Sequence, residues 1–206
     1  MAKTLMLEDE LFLDMVRDRQ RKGIDLYDEV WEGVYVMPSM PSLAHQKLVH
    51  DLGVLLDVVV VQPGRGEIYP GANVSDRRTG WKENFRVPDL VVALRGGRAV
   101  ACDTFLYGGP DFLVEIQTPG DATDKKVPFY SEIGVRELLI IHRDSRALRL
   151  LRHDGEELAP VSAADWRGKK WLRSEVLPLA FRRTAQHGTP RTEVRRTDDT
   201  PGSWTV

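Results

Sequence analysis

The sequence predicts an α/β fold, a central mixed β-sheet of about five strands or more flanked by helices near 43–60 and 124–134. Apolar, β-branched-rich runs at 86–94, 113–117 and 135–142 have the length of strands. The second is so continuously apolar that it reads as a central strand buried on both faces. Two segments carry helix signals, one opened by Ser42 and one closed by Gly134. A chain of 206 residues is long enough for one domain with a sizeable core.

Taken in order, residues 8–22 start acidic and end basic, which suits a helix macrodipole, and Leu11, Phe12, Met15 and Val16 give that helix an apolar stripe. A mixed segment, 25–32, leads into a strand at 34–37 that Pro38 and Pro41 end. Ser42 is a good N-cap for the helix at 43–60, whose His45, Val49, Leu52 and Leu56 share an inward face. The segment 62–66 is a turn, and short strands at 67–69 and 72–75 are broken by Pro70 and Gly71. A polar loop at 76–84 brings Arg77, Arg78 and Lys82 close together; it reads either as a solvated hairpin tip or as a phosphate-contacting edge with Trp81 available to stack on a base.

The connection from Gly96 to Pro110 reads as irregular. The helix at 124–134 must hold Pro128 in or near its first turn, because a deeper proline removes a hydrogen bond. Runs at 135–142 and 146–153 form a hairpin around Asp144-Ser145, and 171–181 adds one or two short strands. Beyond Arg183 the chain is polar, Pro/Gly-rich and nearly without aliphatics, which predicts disorder. The expected division is an N-terminal helical extension at 1–25, a domain at 26–183 and a disordered tail at 184–206.

Lys and Arg total 29 and Asp and Glu 31, a net charge of −2, so any basic surface for nucleic acid has to be local. The single Cys102 excludes an internal disulfide and fits a reducing compartment. The first residues carry acids where an export signal needs an apolar run, and the apolar stretch around 58–61 is too short to span a bilayer. A cytoplasmic protein without membrane association is expected. No G-x-S-x-G elbow, P-loop, H-E-x-x-H or cysteine-pair zinc pattern occurs.

The chemistry concentrates between Val87 and Tyr130. Asp89 and Glu115 each sit within an apolar run, and a buried carboxylate asks for a cationic partner. Either acid alone reads equally as solvated at a strand end or held in an ordinary salt bridge. The pair, with Lys125 and Lys126 just downstream, points to a hard divalent ion with an ammonium group beside it.

Pro88-Asp89, then Glu115-Ile116-Gln117, then Lys126 resembles the PD-(D/E)xK constellation of restriction-endonuclease-like nucleases. The segments 28–46, 85–92, 110–121, 126–144 and 147–155, in that order, resemble the Uma2 family over about residues 26–180. The resemblance implies a restriction-endonuclease-like core and a metal-dependent endonuclease that hydrolyses phosphodiester bonds, with DNA as partner. It implies Mg²⁺, or Mn²⁺, held by Asp89, Glu115 and the Ile116 carbonyl, with Lys126 handling the attacking water. Glu32 and His45 fall in family-like segments and stand as further site candidates. Gln117 departs from the pattern, occupying the place of the motif's lysine. That departure supports the alternative of a catalytically weakened nucleic-acid-binding or accessory protein that keeps the fold; a metal-dependent hydrolase of another substrate is also open. By analogy with nucleases of this fold, a homodimer is expected.

Overall fold

The computed structural model describes residues 9–206. In chain order the elements are α1 (Asp9–Lys22), β1 (Glu29–Trp31), β2 (Val34–Val36), α2 (Leu43–Leu56), β3 (Gly66–Pro70), β4 (Asn73–Ser75), β5 (Phe85–Arg86), β6 (Leu90–Leu94), β7 (Val100–Ala101) and β8 (Phe105–Tyr107). They continue as β9 (Phe112–Gln117), α3 (Thr123–Glu132), β10 (Glu137–His142), β11 (Leu148–His153), β12 (Leu158–Pro160), β13 (Ala164–Trp166), β14 (Lys169–Arg173), β15 (Leu179–Gln186), β16 (Thr189–Arg196) and β17 (Ser203–Thr205).

The expected mixed central sheet is present, with six strands in the order β12-β11-β10-β9-β6-β3. Its β9–β10 pair is parallel, joined through α3, and the other pairs are antiparallel. β9 is buried along five of its six residues, as its continuous apolar run requires. One face packs Leu90, Val92, Phe112, Val114 and Ile116 under α2 and the C-terminal strands. The opposite face packs Val91, Leu113, Leu138 and Ile140 under Phe129 and Tyr130 of α3 and residues of a second sheet. That second sheet, β2-β1-β5-β4-β8-β7, shows in the sequence only as isolated short runs, because no strand in it exceeds three residues.

Ser42 caps α2, its hydroxyl accepting from the His45 backbone N–H at 3.3 Å. The helix runs on as a π-helical turn, Asp57–Val61, so the helical segment nearly matches the 43–60 expectation. Within it His45, Leu52 and Leu56 are buried and Val49 is partly buried.

Three expectations need correction. The run 86–94 is two strands of different sheets, separated at Val87-Pro88-Asp89, because proline has no N–H to continue a ladder. Pro128 lies in the second turn of α3, and the helix tolerates losing its bond to the Asp124 carbonyl.

The segment 184–206 is ordered rather than a disordered tail, and the boundary drawn after Arg183 falls inside β15. β15 and β16 pair from Leu179↔Arg196 to Gln186↔Thr189 around a turn in which His187 and Gly188 both have positive φ, the twist that tight hairpins favour. Val194 is fully buried beside Leu179 and Phe181, and Trp204 and Val206 pack on the same cluster. A polar hairpin with one buried aliphatic cannot fold alone, but it can add to a body already folded. Truncation after Arg183 is therefore expected to lower the melting temperature by at least about 5 °C, since losing Val194 burial alone costs about 1.5–3 kcal/mol. An unchanged melting curve of the truncated chain counts against this docking.

The expected N-terminal helix is present at Asp9–Lys22, with residues 1–8 outside the described range. It is tied down by Arg19, whose Nε donates to Asp28 Oδ2 at 2.6 Å, and by Phe12 against Tyr35. No helix among the described residues is long and apolar enough to cross a membrane.

Candidate active site

Parallel pairing of β9 with β10 puts α3 directly over the end of β9, so residues of α3 look down on Glu115. Glu115 follows Leu113 on the α3 side of the sheet, with only 3% of its surface exposed. Lys126 and Tyr130 lie four residues apart on α3 and therefore share one face. The Lys126 ammonium is 3.2 Å from Glu115 Oε1, and the Tyr130 hydroxyl donates to the same oxygen at 2.6 Å. Lys126 is also 2.7 Å from Glu29 Oε1.

Glu29 is held from two sides. Its Oε1 accepts the Val87 backbone N–H at 2.8 Å, and its Oε2 accepts the Trp31 indole N–H at 2.6 Å. Asp89 sits just before β6, where the chain leaves the second sheet for the central one. Its Oδ2 accepts the Ile116 N–H at 2.7 Å, taking a group that a longer β6 would have bonded, and its Oδ1 lies 3.3 Å from His45 Nε2. Glu29, His45, Asp89, Glu115, Ile116 and Lys126 line one cavity of about 400 Å³.

Burial dominates the electrostatics. It pushes the Glu115 carboxyl up to about 7; Lys126 opposes the shift, and the neighbouring Asp89 and Glu29 charges add to it. Burial alone would pull the Lys126 ammonium down, but Glu115 and Glu29 together hold it above the ordinary lysine range. Tyr130 is raised well above the usual phenol range, first by burial and then by the two glutamates, so its proton stays on and its hydroxyl remains a donor. For His45 burial acts downward, but the bond to Asp89 and the nearby carboxylates leave it raised.

Among the described residues, no three His, Cys, Asp or Glu side chains are disposed to hold one metal ion. The oxygens available are two carboxylates and a carbonyl. Glu115 Oε2 accepts no hydrogen bond among the described residues and is not among the sealed, unpartnered atoms. The N–H and C=O of a strand residue face the same neighbour, so the Ile116 carbonyl shares the edge where Asp89 takes the N–H. This all-oxygen set suits a hard divalent cation that keeps waters in its remaining positions.

The structure thus brings Asp89, Glu115, Lys126, His45 and Ile116 together and leaves other candidates apart. Glu32 is exposed in the β1–β2 turn, with its N–H on Asn84 Oδ1 at 3.0 Å; the acid that reaches the cavity from this hairpin is Glu29. Alternation along β1 gives the reason, since Glu29 and Trp31 share the inward face and residue 32 has left the strand. The Gln117 amide donates to Asp124 Oδ2 at 3.0 Å, away from the cavity that Glu115 lines. Arg77, Arg78 and Lys82 do not line the cavity. Arg77 is paired with Asp76 at 2.8 Å, Arg78 lies over the Tyr107 ring and Lys82 over Trp81. Trp81 itself stacks on Phe105 with centroids 4.7 Å apart.

Sequence reasoning misses Glu29 and Tyr130. The first is legible only by reading 29–31 as a strand, and the second by the i, i+4 spacing from Lys126.

Comparison with known proteins agrees with this architecture. No curated protein matches the chain. Among solved structures, it is similar to the one described as "Crystal structure of a putative nuclease belonging to DUF820 from Anabaena variabilis ATCC 29413", with a TM-score of 0.52 and 19% identity over 66% of this chain and 78% of the other. That likeness carries the fold. The profile "Uma2: Putative restriction endonuclease" matches residues 10–186, from the first helix through the end of β15, and the chain belongs to the Uma2 family.

Proposed function

We propose that the chain is a Mg²⁺-dependent endonuclease that hydrolyses phosphodiester bonds of DNA. The observation that carries this reading is the convergence of Lys126 on Glu115 at 3.2 Å in a cavity that Asp89 also lines. In that arrangement the motif's lysine comes from α3 rather than β9. Gln117 in the usual lysine position therefore does not remove the ammonium, and this weighs against the weakened, binding-only alternative.

Asp89, Glu115 and the Ile116 carbonyl would hold Mg²⁺, which when bound offsets charge on the phosphoryl oxygens and acidifies water. The chain's own groups do the rest. Lys126, held by Glu29, presents a fixed positive charge where negative charge builds up on the phosphate. Tyr130 takes one lobe of Glu115 Oε1 and so steers Oε2 toward the cavity. His45 and the Ile116 N–H fix the Asp89 carboxylate from two sides. Arg143, which lines the cavity, donates to Ser42 Oγ at 3.3 Å and is paired with Asp144 at 2.8 Å.

The test is incubation of the purified chain with supercoiled, linear and single-stranded DNA and with RNA, in Mg²⁺ and in EDTA. Nicking in Mg²⁺ that EDTA stops is expected; absence of cleavage on every substrate counts against the reading. Metal binding should also depend on pH in a defined direction. A proton competes with the cation at Glu115, whose carboxyl is pushed up to about 7, so Mn²⁺ affinity is expected to rise from about pH 6 to about pH 8. Calorimetry checks this, and Asp89→Asn is expected to lose the binding heat.

A further inference from the structure

Asp89 lines two cavities. Besides the large one, it borders a smaller cavity of about 130 Å³, lined also by Leu26, Tyr27, Gln46, Val49, Pro70 and Gly71. Tyr27 and Asp89 line both. The walls of the smaller cavity are Val49 from α2 and Pro70 from the end of β3, both apolar, and Leu26 at its mouth is 69% exposed. Its polar groups, Asp89 aside, are an aromatic hydroxyl and an amide. Gln46 Nε2 donates to Tyr27 Oη at 3.2 Å, while the Gln46 side-chain carbonyl oxygen has no partner among the described residues. No lysine or arginine lines it, so it is not built for phosphate. An aromatic ring, apolar walls and a free amide edge are instead the chemistry that takes a flat, hydrogen-bonding heterocycle.

We propose that this cavity is a nucleobase pocket: Tyr27 stacks the base next to the phosphate that Lys126 and a cation on Asp89 and Glu115 would hold, and Gln46 contacts its edge. The inference rests on the nuclease reading for the phosphate and adds what the neighbouring nucleotide does. A strand crossing Asp89 leaves the large cavity with its backbone and drops one base into the small one. The preferred substrate is then a nucleic acid with an unpaired base at that position, a single strand or a frayed end, rather than an intact duplex. Stacking on a protein ring tolerates any base, so the pocket gives a preference for unpaired structure more than for sequence.

The experiment measures binding with Ca²⁺ in place of Mg²⁺ to fluorescent oligothymidylate and oligouridylate of about 20 nucleotides and to a fully abasic phosphodiester strand of the same length. Wild type is expected to bind both base-bearing strands more tightly than the abasic one. Tyr27→Leu is expected to weaken their binding about 5- to 100-fold, down to the abasic level, and to leave abasic binding unchanged. Tyr27→Phe, which keeps the ring and loses the bond to Gln46, should bind as wild type. Val49→Phe fills the pocket from α2 and should repeat the Tyr27→Leu result. Melting curves establish that each variant is folded.

Equal binding of abasic and base-bearing strands by wild type overturns the pocket and leaves the nuclease reading standing. Tyr27→Phe binding as weakly as Tyr27→Leu also overturns it, since the hydroxyl bond then matters and not the ring. Failure of wild type to bind any of the three strands overturns both readings together.

Discussion

Glu115→Gln is expected to lower Mg²⁺-dependent cleavage of plasmid DNA by about two orders of magnitude or more, while the folded state at about pH 8 is no less stable than wild type. The two halves of this result have different causes. Cleavage falls because an amide replaces the anionic oxygen that faces the cavity. Stability holds because the fold favours the neutral form of this side chain. Burial is the chief reason that the Glu115 carboxyl rises to about 7, well above the ordinary glutamate range. A raised carboxyl contributes stability that is fully present below its unfolded pKa and is lost as pH rises through the folded value. Above about pH 7 wild type therefore carries an ionised, buried carboxylate, at a cost that the neutral amide of the Glu115→Gln variant does not have. Plasmid nicking assays and thermal melts at two pH values read both halves. Cleavage by the variant at the wild-type rate would remove Glu115 from the chemistry, and with it the metal assignment.

Lys126→Met should act in the opposite sense, as the more destabilising change. The ammonium lies 2.7 Å from Glu29 and 3.2 Å from Glu115, and none of the three side chains is more than 14% exposed. Removing the cation leaves two carboxylates facing each other in a low-dielectric site, a loss of about 3–5 kcal/mol when one partner of a buried pair is deleted. The loss is expected to be smaller at about pH 6 than at about pH 8, because Glu115 then takes up a proton instead of bearing an unpaired charge. Urea titrations at the two pH values measure it. Adding Glu115→Gln to Lys126→Met should recover part of the loss, since the double change removes one of the stranded charges and the amide NH2 can take the place of Glu115 Oε2, which accepts no hydrogen bond among the described residues. A Lys126→Met urea midpoint equal to wild type at both pH values would mean that the triad contributes nothing to holding α3 over β9.

How far the site can be read in advance depends on how local its signals are. Asp89, Glu115 and Lys126 are legible because each is a charged residue in or beside an apolar run, and a buried charge is rare enough to be noticed. His45 is legible because Ser42 fixes the start of α2 and the spacing to Val49 and Leu52 then fixes the face. Glu29 is not, although it completes the Lys126 pairing. Its strand is three residues long, and its neighbour Glu32 offers the same chemistry in the next turn. Tyr130 reads as one more apolar position of a helix. Its role arises only because α3 lies over β9, which the β9–β10 crossover decides.

The basic loop at Arg77, Arg78 and Lys82 lies apart from the cavity. Proximity in sequence suggests a binding edge; in the fold Arg77 pairs with Asp76, while Arg78 over Tyr107 and Lys82 over Trp81 remain exposed. The segment 184–206 misleads by its composition. Its composition lacks the aliphatics for an independent core, yet backbone pairing with β15 and the burial of Val194 against Phe181 need only a surface already formed by the rest of the chain.

By itself the sequence determined the class of fold, the long helix after Ser42, the central β9–α3–β10 unit and the two acids with their lysine. Those features are written in short windows of hydrophobic periodicity and in charges set among apolar neighbours. Tertiary structure alone decided that Glu29 rather than Glu32 meets Lys126, that Gln117 turns away to Asp124, and that the last strands are ordered. These depend on which face of a three-residue strand points inward and on what a distant surface offers to pack against. Neither quantity is encoded within reach of one turn or one strand, so only the assembled chain fixes them.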